Sequence, residues 1–323
     1  MRLLKLIPDD TNIGFVRLRG WAFGLTAMLT VIAVFAVVTR GLNLGVDFVG
    51  GLSIEAKFAQ EPPLDKLREA IDRLGFGNAS PQQFGDKRIV SIRLPVPKGA
   101  DQGQTNAEVS AVQGAVKAAF PQVTFGKTDT VSGKVSEELT FWGIIAVLLA
   151  MFAIALFGWV RFEWQFGLST LVAILHDVLM TLGFFAVTQM EFDLTIVAAV
   201  LTIVGYSIND KIVIDDRIRE NMRKYRQMDM RGIVDLSVNE TLPRTVMTSL
   251  TILLALASLL MFGGHVLRGL TSAMILGVIV GTYSSIYVSS SLLITLGLKP
   301  QPFAAPKVKG QASGAERIPT EGY

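Results

Sequence analysis

"VGYSINDKIVIDDRIRENMRK", residues 204–224, passes from an apolar run into a basic one and carries three carboxylates, Asp210, Asp215 and Asp216, at the junction. The sequence before it is apolar from Leu194 onward, so Asp210 lies in a stretch long enough to cross a bilayer, which takes about 20 residues at 1.5 Å per residue. An ionisable group in lipid is costly and marks a pairing or a pathway. The fold turns on whether this stretch is a membrane span.

The composition says that it is. Of 323 residues half are hydrophobic and 18% charged, with a mean hydropathy of +0.47, whereas an ordinary soluble domain is about 25% charged. Comparable runs lie near residues 21–38, 141–160, 166–187, 194–214, 245–262 and 270–297, which makes six spans. The first is too long for a secretory h-region and lacks a small-residue cleavage site, so it reads as an uncleaved anchor. With no cysteine, disulfide and thiolate chemistry are excluded. Arg2, Lys5, Arg17 and Arg19 precede the first span, and Arg217 to Arg231 fill the segment between the fourth and fifth. By the positive-inside rule both termini are cytoplasmic and residues 41–138 extracytoplasmic. The net charge of +3 follows from this sidedness and does not point to nucleic acid.

The outer loop has its own pattern. "LSIEAKF" (52–58) and "RIVSIRL" (88–94) alternate apolar and polar residues as half-buried strands do. "PLDKLREAIDRLG" (63–75) sets Leu64, Leu67, Ile71 and Leu74 at helical spacing before Gly75, and a second helix is predicted over 105–119. With strands near 80–84 and 122–131, the order is β-α-β-β-α-β, an α+β ferredoxin-like arrangement. The expected division is a cytoplasmic segment 1–20, a first helix 21–40, the outer domain 41–138, a five-helix region 139–298 and a disordered tail 299–323. The outer loop has no His, no Cys and no phosphate-binding loop, which favours a gripping module over an enzyme.

"NLGVDFVGG" (43–51), "LHDV" (175–178), "VGYSINDKIVIDDRIREN" (204–221) and "ETLPRTVMTS" (240–249) resemble, in order and at similar spacing, the signature segments of the SecF family. That family supplies the smaller half of the SecD–SecF accessory complex of bacterial protein translocation and is related to the RND transporters. The resemblance implies a non-enzymatic inner-membrane subunit that uses the proton motive force to promote export through SecYEG. It implies no cofactor; the coupling ion is a proton, with sodium as the alternative. The implied partners are SecD, SecYEG, YajC, YidC, lipid and the translocating unfolded polypeptide. Asp210 and Arg244 match the positions the family assigns to proton conduction.

The residues can also be read without the resemblance. In "GVDFVGG", Gly45, Gly50 and Gly51 permit turns that other residues resist and Asp47 can accept from loop amides, so the segment reads as a turn and, compatibly, a hinge. His176 and Asp177 point about 100° apart, which argues against a shared metal ion and fits either an interhelical hydrogen bond or support of proton movement. Thr195, Thr202, Tyr206 and Asn209 follow at helical spacing as a polar stripe ending at Asp210. A fifth span that starts at Pro243 and Arg244 returns a guanidinium to similar depth, as a switchable Asp–Arg pair or a snorkelling anchor. Asp215 and Asp216 read as a solvated helix end beside Arg217 and Arg219.

Ala273, Gly277, Gly281, Ser285 and Ser289 recur every four residues, a small-residue stripe for close packing within the chain or against a second subunit. Six spans form half of a twelve-span arrangement, so a partner resembling SecD is expected. The rival readings are half of an RND-type small-molecule exporter, an intramembrane aspartyl protease, which "SIND" does not suit, and a passive scaffold.

Overall fold

Six helices are long and apolar enough to cross a membrane: Val16–Arg40, Gly133–Arg161, Trp164–Thr188, Leu194–Lys224, Met230–Phe262 and Arg268–Thr295. They belong to a computed structural model that describes residue 8 and residues 11–76, 79–84, 86–95, 102–264 and 267–299. The tail beyond Lys299, expected to be disordered, lies outside the described residues. The chain is therefore a multi-pass membrane protein.

In chain order the elements are α1 (Arg19–Arg40, after a short 3-10 turn Val16–Leu18), α2 (Val46–Val49), β1 (Gly51–Lys57), α3 (Leu64–Asp72), β2 (Ser80–Phe84), β3 (Asp86–Leu94), α4 (Gln102–Ala119) and β4 (Thr124–Val131). After these come α5 (Gly133–Arg161), α6 (Trp164–Thr188), α7 (Leu194–Lys224), α8 (Met230–Phe262), α9 (Arg268–Tyr283), a π-helical turn (Ser284–Ser289) and α10 (Ser290–Thr295). α6, α7 and the last span bury about half of their most apolar windows inside the chain, whereas α1, α5 and α8 bury under a fifth. Three inner helices thus carry the core, and three others are mostly exposed on its outside.

The outer strands form one antiparallel sheet in the order β2-β3-β1-β4. Strand alternation turns Leu52, Ile54, Ala56, Val90, Ile92 and Leu94 to one face, where Leu67 and Ile71 of α3 and Val112 and Val116 of α4 cover them. The opposite face is polar: Ser53 and Ser91 hydroxyls hydrogen-bond at 3.0 Å, and Arg93 reaches down to Glu191 at 2.9 Å, Asn43 Oδ1 at 3.0 Å and the Leu44 carbonyl at 2.7 Å. This face closes over the loop ends of the spans. Burial raises the Glu191 carboxyl above its ordinary 4.5, with Arg93 pulling the other way.

The connecting segment explains its glycines. Gly50 and Gly51 lie at φ 76° and 119°, and a Cβ on Gly51 would come 2.6 Å from the Leu94 carbonyl oxygen. Asp47 Oδ2 accepts the Leu194 N–H at 2.9 Å, while Asp193 accepts that of Ile196 at 3.1 Å, so two carboxylates cap the start of α7. Gly45 donates to the Phe192 carbonyl at 2.8 Å, fixing the chain beside the same loop.

One boundary departs from expectation. The helix expected from residue 245 begins at Met230, because Ile233, Val234, Val238 and Leu242 bury an apolar stripe against Phe15, Val16 and Ile218. Pro243 and Arg244 consequently lie within a helix and do not open it.

Candidate functional site

α7 presents one inward face: Ile196, Ala199, Val200, Ile203, Val204, Ser207, Asp210, Lys211, Ile214, Asp215 and Ile218 are all buried, at intervals of three and one. This places Lys211 one turn after Ser207 and one turn before Asp215. Lys211 is 1% exposed, Asp215 2% and Asp177, from the facing helix α6, 0%. Taking such charges out of water costs several kcal/mol each unless partners repay it.

The partners converge from three helices. The Lys211 ammonium donates to Ser169 Oγ of α6 at 3.1 Å and lies 3.6 Å from Asp215 Oδ2. Ser289 Oγ reaches Ser169 Oγ at 3.4 Å. Asp177 Oδ2 accepts from Ser207 at 2.6 Å and from Ser284 at 2.9 Å, and its Oδ1 meets His176 Nδ1 at 3.1 Å. Asp215 Oδ1 and His176 Nε2 are buried without a hydrogen-bond partner among the described residues. The π turn matters here, because its wider winding brings Ser284, Ser285 and Ser289 inward together, all buried.

Close approach of the last span to α7 depends on glycine. A Cβ on Gly277 would fall 2.6 Å from Ile203 Cδ1, and one on Gly281 would fall 3.1 Å from Ser207 Cβ. The small-residue stripe therefore packs within the chain.

Asp210 sits apart from this cluster, 3% exposed, with Oδ2 unpartnered among the described residues and Thr248 and Arg244 of α8 as its polar neighbours. Arg244 itself is exposed, and among the described residues no ion pair within 4.0 Å joins it to Asp210. Tyr206 OH bonds Ser249 Oγ at 2.8 Å, which continues to Thr282 at 2.8 Å.

Two sequence readings are corrected. Asp215 is no solvated helix end: the Lys211 ammonium draws it into the core, and Asp216 alone of the two is exposed. The polar stripe of Thr195, Thr202 and Asn209 faces outward, because Thr202 satisfies its own hydroxyl on the Ala198 carbonyl at 2.8 Å and Thr195 bonds Asp193. The inward polar face, Ser207–Lys211–Asp215, was missed, as were Ser169 and Ser284, while Ser285 and Ser289 were read only as small packing residues. The i, i+4 spacing of those three residues was the available signal.

A family profile described as "Protein export membrane protein SecD/SecF, C-terminal" matches residues 111–299, more than half of the chain. The chain belongs to the SecD/SecF protein-export family. A second profile, "SecD/SecF GG Motif", matches residues 35–62, which contain Gly50 and Gly51. The protein translocase subunit SecF of Cereibacter sphaeroides is 43% identical over 301 residues, covering 91% of this chain and 93% of the relative. That of Vibrio alginolyticus is 39% identical over 318 residues, covering 98% and 100%. Among solved structures, SecDF of Thermus thermophilus, titled a translocon-associated membrane protein, superposes with a TM-score of 0.81 at 34% identity over 90% of this chain. The chain spans 40% of that longer SecDF chain.

Proposed function

We propose that this chain is the SecF-type subunit of a SecD–SecF complex that promotes polypeptide export through SecYEG, and that proton entry into its helical core drives the work. Similarity to SecF subunits over nearly the whole chain supports the first part. The observation that carries the second is Asp210, a carboxylate buried in a lipid-soluble bundle with one oxygen unpartnered. A proton arriving there neutralises the acid, loosens its hold on Thr248 and Arg244, and frees α7 to shift against α8.

The exposed Arg244 and the three lipid-side helices suit a SecD-type partner completing a twelve-span bundle. The outer β-α-β-β-α-β unit serves as a ferredoxin-like gripping module, moved through the glycine turn. The reading sets the protein in the bacterial inner membrane with both termini cytoplasmic, residues 41–138 outside, and no enzymatic step. SecYEG, YajC and YidC are its neighbours, and the proton is preferred to sodium. An RND-type exporter half is the weaker reading, because the relatives matched over nearly the whole chain are SecF subunits.

The test is Asp210→Asn. The variant is expected to insert and assemble with its partner yet to lose the gradient-driven part of export in vesicles under an imposed proton gradient. Export equal to wild type would favour the scaffold reading.

A further inference from the structure

Lys211 is the residue that the proposed mechanism leaves unused. We infer that its ammonium is a built-in cation standing where an exchangeable sodium ion would otherwise sit, and that it confines this chain to protons. The inference rests on the ion-coupling reading above and adds the residue that selects the ion.

The cluster around Lys211 has the chemistry of an alkali-cation site. Asp177 and Asp215 supply carboxylates, and Ser169, Ser207 and Ser284 supply hydroxyls, all buried between α6, α7 and the π turn. Oxygen-rich, water-poor sites of this kind take hard cations by replacing their hydration shell. Here the cation is covalently tethered: Nζ lies 3.1 Å from Ser169 Oγ and 3.6 Å from Asp215 Oδ2. A second feature points the same way. Asp215 Oδ1, on a residue only 2% exposed, has no hydrogen-bond partner, so the carboxylate offers an oxygen that the ammonium leaves unfilled.

Charge balance gives the consequence. With both carboxylates ionised, Asp177 and Asp215 bring two negative charges against the one positive charge of Lys211, so a single negative charge remains. A proton satisfies it on one carboxylate oxygen and needs no shell. Sodium needs several oxygens at once, and here the ammonium holds Ser169 and faces Asp215 while Asp177 Oδ2 already accepts from Ser207 and Ser284. Arg244 lies outside the cluster and is exposed, so it does not substitute for Lys211. Replacing Lys211 by serine removes the tethered charge, adds a hydroxyl and leaves Asp215 and Ser169 facing a vacated volume with the Asp177 charge nearby, which is a sodium site.

The experiment is equilibrium radiosodium binding to the full-length chain in mild detergent, with thermal midpoints in sodium and in choline chloride. Wild type and Lys211→Arg are expected to bind no sodium saturably and to melt alike in both salts. Lys211→Ser should bind saturably, roughly tenfold above the wild-type background, and be stabilised by sodium alone. Lys211→Met, which removes the charge without adding an oxygen, should bind less than Lys211→Ser. Saturable binding by wild type, or a folded Lys211→Ser protein that binds none, overturns the inference. So does failure of Lys211→Ser to fold in either salt, since sodium is required to replace the lost charge. Binding is read without export, so failure of the Asp210→Asn test would fall on the coupling reading and leave this result to be judged separately.

Discussion

Gly183→Ala puts the seating of the first span to a quantitative test. α1 exposes Val31, Phe35 and Val38 and buries Ala22, Ala33 and Ala36, so small residues alone bring it against the inner helices. A methyl group at 183 would overlap Ala33 Cβ and stand 2.7 Å from Ala33 Cα, about 0.7 Å short of the 3.4 Å of ordinary contact. The obstructing atom is backbone, so no side chain can rotate away and the two helices must part. Overpacking of this kind costs about 1–3 kcal/mol. At roughly 2–4 °C per kcal/mol for a chain of more than 150 residues, the melting midpoint in detergent should fall by several degrees. Ala33→Gly in the same molecule removes the overlapping methyl and should recover part of the loss, giving a coupling that a double-mutant cycle isolates. A Gly183→Ala protein as stable as wild type, or a double variant no better than the sum of its singles, would refute the close approach of α1 and α6.

Gly51→Ala forces a side chain into φ 119° and against the Leu94 carbonyl, at a cost of about 1–3 kcal/mol; limited proteolysis should cut residues 51–131 faster while the helical circular dichroism persists. The folded protein binds a proton at Glu191 more tightly than the unfolded chain does, so the stability this residue lends is complete below pH 4.5 and lost as pH rises through its raised folded value. Glu191→Gln should flatten that part of the plot of melting midpoint against pH, and an unchanged slope would refute the assignment.

The six spans were legible because lipid demands long apolar runs, but their ends were not. Hydropathy stops where lipid stops, whereas α8 runs on from residue 245 back to Met230 because Ile233 and Val234 find a protein surface to cover. The order of the outer elements could be read from alternation and helical spacing. Which polar face of α7 turns inward could not, since a threonine hydroxyl satisfies itself on its own helix and so hides its orientation. Lys211 was overlooked because a lysine beside three carboxylates at the end of an apolar run looks like an interfacial residue. Only the facing Ser169 and Asp177, more than thirty residues away in the chain, reveal it as buried.

The π turn at Ser284–Ser289 makes winding, more than composition, the quantity under constraint in the last span. Such a turn behaves as one residue inserted into an α-helix, the wider winding absorbing the extra residue, so excising one of its residues would leave everything beyond it in phase, whereas forcing all six into regular α winding would rotate everything beyond them by about 100°. Leu293 and Leu298, which now plug the cluster around Phe15 and Ile218, would swing away from it, although every side chain they carry would be unaltered. A substitution that made the turn wind as α-helix would thus be felt at the far end of the span, while a one-codon deletion would straighten the turn and act only locally, on Ser284 to Ser289.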